Sequence, residues 1–139
     1  MKQFMEIAGR RMAYLDEGQG PALLFGHSYL WDSAMWAPQI EALKEHYRCI
    51  VPDHIGMGLS DKPDDSVYDY TLQSRVDDLG ALLAHLGIDG PITLAVHDWG
   101  GMIGFGWALR DPARIKRLVI TNTAAFPMPA AKKMPWQIA

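Results

Sequence analysis

In the stretch LAVHDWGGMIG, Leu94 to Gly104, an apolar run ends in an aspartate followed at once by tryptophan and paired glycines. Asp98 stands where a buried strand would turn directly into a helix. A side chain at such an elbow is lifted clear of the sheet. A carboxylate there is ionised near pH 7, whereas a serine would need a base to deprotonate it. The N–H groups that open the following helix favour the carboxylate and any anion that develops beside it. Gly100, Gly101, Gly104 and Gly106 all lie in that helix. Each interior glycine costs roughly 0.5–1 kcal/mol relative to alanine, so the group implies close backbone packing of helix on strand. These residue types fit nucleophilic attack on an electrophilic carbon. A phosphoacceptor aspartate or a plain polar cap could use the same position; the glycines, Trp99 and the paired strands at the front of the chain favour the nucleophile.

The other reactive side chains have plainer readings. His97 precedes Asp98 and points the other way along a strand, which suits packing better than catalysis. His46, His54 and His85 fall on a helix end, in a loop and on a helix face, none with a companion at metal-ligand spacing, so no metal site is expected. His27, at the end of PALLFGH, is expected to shape a loop through hydrogen bonds to backbone. The single Cys49 lies in the apolar run YRCIVPD and reads as a small core residue; it cannot form an internal disulfide. Gly56 to Ser60 carries a GxGxS pattern but lacks the lysine and following helix of a phosphate-binding loop. Asp53, Gly56 and Gly58 therefore read as turn chemistry beneath the site. No cofactor is called for.

The elements that must position Asp98 follow from periodicity. QFMEIAGRRMAYLDEG reads as two short strands around a turn at Ala8-Gly9, and PALLFGH and YRCIVPD as continuous apolar strands. Between them WAPQIEALKEHY places Trp36, Ile40, Leu43 and Tyr47 at i, i+4, i+7 and i+11, one helical stripe. TLQSRVDDLGALLAHLG is the strongest helix, with Leu72, Val76, Leu79, Leu83 and Leu86 on one face, Thr71 as its cap and Gly87 at its end. Then PITLAVH reads as a strand, WGGMIGFGWALRDP as a helix and IKRLVITNT as a strand. Strands without alternation, separated by amphipathic helices, indicate an α/β fold with a mostly parallel, doubly wound sheet and an antiparallel hairpin at its front. Ligands of such sheets sit beyond the carboxyl ends of the strands, where His27, Asp53, Asp98 and Asn122 all fall.

Composition narrows the partners. The chain has 139 residues, 49% of them apolar, and a net charge of −3, so nothing argues for nucleic acid as a partner. No apolar run is long enough to span a membrane and the start MKQFMEIAGRR lacks a signal-peptide core, so a cytoplasmic location is the default expectation.

With the motifs in hand, VHDWGG after an apolar strand resembles the nucleophile motif of α/β-hydrolases that use aspartate, the haloalkane dehalogenases and epoxide hydrolases. PDHIGMGLSDKP resembles the segment after the fourth strand of the same group. Together with NTAAFP, these motifs resemble the dehalogenase-like branch that includes the β-lactone decarboxylases of long-chain olefin biosynthesis. The resemblance implies an α/β-hydrolase core over residues 1–123, truncated after about the sixth strand, with 124–139 starting a linker towards a cap domain. It implies Asp98 as nucleophile, Trp99 as donor to a leaving group or oxyanion, and a small apolar substrate bearing a halide, epoxide or strained lactone. Dehalogenases read His-Gly-Asn-Pro after the third strand and epoxide hydrolases His-Gly-Phe-Pro or similar. This chain reads His27-Ser28-Tyr29-Leu30, which puts Tyr29 where the halide-binding asparagine would stand. Asn122 stands where some dehalogenases carry the acidic member of the triad and is expected to order the site, as is Gly100. The histidine that would activate water for ester hydrolysis is not among these residues, so the competing expectation is a fragment that halts after one covalent turnover. IKRLVITNT is expected to leave an apolar sheet edge and to favour self-association.

Overall fold

The computed structural model describes residues 1–124, and the expected linker stretch lies outside them apart from Ala124. Six strands form one sheet: β1 (Gln3–Ile7), β2 (Arg10–Glu17), β3 (Ala22–Gly26), β4 (Arg48–Pro52), β5 (Ile92–His97) and β6 (Ile115–Thr121). Their spatial order is β1-β2-β4-β3-β5-β6. The β1–β2 and β2–β4 pairs are antiparallel, whereas β4, β3, β5 and β6 run parallel. The expected architecture is the one found. At the β1–β2 hairpin both turn residues have positive φ, 46° at Ala8 and 76° at Gly9, as a two-residue loop matched to strand twist requires.

The central strands are buried on both faces, which explains why their sequences do not alternate. Leu24, Ile50, Leu94 and Val96 face one core with Val76, Leu79, Leu82 and Leu83 of α2 (Leu72–His85) and with Ile103 and Trp107 of α3 (Trp99–Ala108). Leu23, Phe25, Cys49, Val51 and Ala95 point oppositely, into a second core with Trp36 and with Ile40 of α1 (Ala37–Leu43). Cys49 is fully buried, as expected of a small core residue.

Two helices depart from their sequence boundaries. A 3-10 turn over Ser33–Trp36, capped by the Asp32 side chain, precedes α1, and α1 ends at Leu43 rather than reaching Tyr47. Trp36 and Ile40 are buried, while Leu43 and Tyr47 pack half-buried against the same core. In α2, Thr71 accepts from the Ser74 N–H at 3.2 Å, and Gly87 follows with φ of 64°. Leu72, assigned to the apolar face, is exposed because it opens the first turn, and fully buried Leu82 extends that face instead. Among the described residues no helix is long and apolar enough to cross a membrane.

Candidate active site

Asp98 links β5 to α3 with φ 51° and ψ −124°, outside the left-handed basin that aspartate tolerates. Such backbone costs about 1–3 kcal/mol and persists only where its surroundings over-determine it. Here they do so at both peptide groups. The Asp98 N–H donates to the Asn122 carbonyl at 3.2 Å, and the Asp98 carbonyl accepts from Gly101 N–H at 2.9 Å and Thr123 Oγ1 at 2.6 Å. Asn122 thus takes part through its backbone, itself at φ 39°. Gly100 lets α3 cross β3 closely enough for this corner to form, since a Cβ there would lie 2.3 Å from the Gly26 carbonyl carbon.

The carboxylate is not spent on capping α3. Its Oδ2 accepts from the Ser28 hydroxyl at 2.7 Å and from the Tyr29 N–H at 3.2 Å. Burial pushes the Asp98 carboxyl up, but the Ser28 hydroxyl, the Trp99 and Tyr29 N–H groups and nearby His97 together hold it below the usual carboxylate value. It is therefore a partly shielded anion at the carboxyl end of the parallel strands. The Tyr29 and Trp99 rings lie beside each other, centroids 5.6 Å apart, and both are exposed next to the carboxylate. Neither the phenol nor the indole N–H is bonded to Asp98; Tyr29 reaches it through the main chain.

His27 is fully buried and both ring nitrogens are engaged: Nδ1 donates to the Ser28 carbonyl at 2.8 Å, and Nε2 accepts the His54 N–H at 3.2 Å. That pairing fixes the neutral tautomer, ties the loop after β3 to the loop after β4, and leaves no free nitrogen for chemistry. Burial lowers the His27 pKa, against opposing pulls from the Ser28 carbonyl, Asp53 and Asp32. His97 bonds to Thr121 Oγ1 at 3.2 Å.

Three features of the site had no sequence expectation. Ser28 is the first. The second is Lys2, whose Nζ lies 2.6 Å from Oδ2 of Asp53. Asp53 is fully buried and also accepts the Ser33 and Leu59 N–H groups, each at 2.9 Å, so it ties three loops beneath the site rather than shaping one turn. Burial pushes its carboxyl up, and the Leu59 N–H, the Lys2 ammonium and Ser33 more than reverse this. The third is the burial of the loop residue His54, whose Nε2 has no partner among the described residues and whose ring lies 4.7 Å from that of His27. Among the described residues no group of His, Cys, Asp and Glu could hold a metal ion.

The chain has known relatives in sequence and in fold. A family model described as alpha/beta hydrolase fold matches residues 21–138. The chain is 64% identical over 138 residues to a cis-3-alkyl-4-alkyloxetan-2-one decarboxylase of Xanthomonas campestris, covering 94% of this chain and 46% of that protein. It is 42% identical over 132 residues to a haloalkane dehalogenase of Mycolicibacterium smegmatis, covering 91% of this chain and 41% of that one. A crystal structure of a Bacillus megaterium epoxide hydrolase with an inhibitor superposes with a TM-score of 0.80 at 31% identity, over 88% of this chain and 43% of the other. The chain thus spans less than half the length of the relatives it matches.

Proposed function

Because the chain belongs to the alpha/beta hydrolase fold family, we propose that Asp98 is the nucleophile of an enzyme acting on small apolar electrophiles in the cytoplasm, without cofactor, metal or nucleic acid. The observation that carries this reading is the strained backbone of Asp98, which lifts an ionised carboxylate from the sheet without using it as a helix cap. Strain held in place by several hydrogen bonds has a use in presenting a side chain and none in stability.

On an alkyl halide, a carboxylate oxygen attacks carbon, an ester C–O bond forms, and the carbon–halogen bond breaks with the electron pair leaving on the halide. The Trp99 indole N–H and the Tyr29 phenol, side by side at the mouth, are the donors for that anion. Hydrolysis of the ester needs a base to activate water, and the histidines of this chain are committed elsewhere. His27 and His97 are hydrogen-bonded, and His54 is buried and held neutral. His46 precedes β4 and His85 ends α2, at the opposite end of the parallel strands. The 139-residue chain therefore halts at the ester.

Incubation with benzyl bromide and intact mass measurement test this. One benzyl group should appear, map to Asp98, and be absent in Asp98→Asn. Labelling elsewhere with Asp98 unmodified would overturn the nucleophile, and repeated release of benzyl alcohol would overturn the single turnover.

A second reading is opening of a strained four-membered lactone with loss of carbon dioxide and formation of an alkene. It is favoured by the higher identity to the oxetan-2-one decarboxylase than to the dehalogenase, and by Tyr29 standing where dehalogenases carry asparagine. Carbon dioxide released from a cis-3,4-dialkyl-oxetan-2-one by the chain, and not by Asp98→Asn, would select it.

A further inference from the structure

Building on Asp98 as nucleophile, we infer that Ser28 is a positioning residue that selects which carboxylate oxygen attacks: its hydroxyl holds Oδ2 and leaves Oδ1 to take the electrophilic carbon. Ser28 Oγ lies 2.7 Å from Oδ2, and the Tyr29 N–H converges on the same oxygen at 3.2 Å. Neither Ser28 nor Tyr29 donates to Oδ1. Lone pairs engaged by two donors are poor nucleophiles, so the other oxygen is the one that reacts.

The serine is itself held on both sides. Its N–H donates to Met35 Sδ at 3.4 Å, and its carbonyl accepts from His27 Nδ1 at 2.8 Å and the Trp31 N–H at 3.3 Å. The hydroxyl therefore meets the carboxylate from a fixed backbone, and the chain His54–His27–Ser28–Asp98 ties the buried histidines to the nucleophile. The pattern that this loop resembles has glycine at the position of Ser28, so the backbone donor has a place in that pattern and the hydroxyl does not. A hydroxyl can stay on Oδ2 throughout. When Oδ1 is alkylated, Oδ2 becomes the ester carbonyl oxygen and still accepts from Ser28. When water adds to that carbonyl, the negative charge forms on Oδ2, where a donor at this distance stabilises it.

The experiment uses the 139-residue chain with benzyl bromide, intact mass for the rate of ester formation, and 13C-carboxyl NMR of Asp98 for its titration. In Ser28→Ala the Asp98 carboxyl should titrate at higher pH than in the wild type. Ester formation should slow roughly tenfold, because the carboxylate is no longer held in the orientation of attack, although its raised pKa makes it the stronger base. Ser28→Thr, which keeps the hydroxyl, should restore both, and urea unfolding identifies any variant that is not folded. If folded Ser28→Ala is alkylated and titrates as the wild type while Asp98→Asn is not alkylated, the role of Ser28 is overturned and the nucleophile stands. If the wild type forms no ester at Asp98, the nucleophile is overturned and the role of Ser28 falls with it.

Discussion

Gly26 and Gly100 meet backbone to backbone: a Cβ on Gly100 would lie 2.3 Å from the Gly26 carbonyl carbon, and one on Gly26 would lie 2.8 Å from the Gly100 carbonyl oxygen. Neither neighbour can rotate away, because both are main chain. Gly100→Ala should therefore destabilise the fold by about 2–3 kcal/mol, the upper part of the usual range for overpacking. Gly90→Ala is the control, since nothing lies within 4 Å of a Cβ there and its φ is not positive. It should change stability by less than about 0.5 kcal/mol. Urea midpoints of the two variants check this, and equal midpoints would contradict it.

That contact also marks what sequence could convey. The glycines after Asp98 announced a close helix–strand approach because each has a known local cost, and the parallel strands were legible because burial on both faces removes alternation. The end of α1 was not. The apolar stripe continues to Tyr47, but half-buried packing needs no helix, and the chain leaves the helix at Leu43 to reach β4. Ser28 and Asp98 are 70 residues apart, and Lys2 and Asp53 are 51 apart. No local pattern encodes a pairing that the sheet order creates, so the elbow was legible and the partners of its carboxylate were not.

His54 and His27 should make the fold acid-sensitive. Burial, then His27 and the Arg75 guanidinium, hold the His54 pKa well below its ordinary 6.5, and burial lowers that of His27. Both therefore take up protons at lower pH in the folded chain than in the unfolded one, where the ordinary value is about 6.5. Stability is then fully present above that pH and lost as pH falls towards the folded-state values. The slope reaches at most about 1.4 kcal/mol per pH unit for each histidine. Urea midpoints between pH 7.5 and 5, taken as roughly the span around an unperturbed histidine, should fall for the wild type and fall less for His54→Leu. Parallel curves would count against the buried neutral imidazole.

Lys2 should matter more than a residue next to a chain terminus usually does. Its ammonium is bonded to fully buried Asp53 at 2.6 Å and approaches Asp32 at 3.3 Å. Lys2→Met leaves Asp53 with its two backbone donors but without a counter-charge, a change expected to cost about 1–3 kcal/mol at neutral pH. The lowered Asp53 pKa contributes stability above the unfolded carboxylate value that is lost as pH falls through the folded one. Without Lys2 the folded pKa rises, so the acid-unfolding midpoint should move to higher pH. Asp53→Asn with Lys2 intact separates loss of charge from loss of the loop tie. A Lys2→Met variant with wild-type urea and acid midpoints would show that the backbone donors suffice.

The outer strand β6 should drive self-association of the 139-residue chain. Among the described residues β6 pairs only with β5, and Leu118, Val119 and Ile120 are each about half exposed. Leu118 and Ile120 join Ile115 of the same strand with Phe105, Ala108 and Leu109 in one apolar patch. An unpaired row of N–H and C=O groups beside such a patch is a template for another strand, and a lysine on the edge is a common way of blocking it. Light scattering should give a mass above that of the monomer, rising with concentration, and Leu118→Lys combined with Ile120→Lys should bring it down to the monomer. Leu118 and Ile120 line the patch beside Phe105 and Leu109 and take no part in the Ser28–Asp98 contact, so ester formation by the double variant should match the wild type. A wild-type chain that stays monomeric as concentration rises would remove the edge as an interface, whatever the outcome at Asp98.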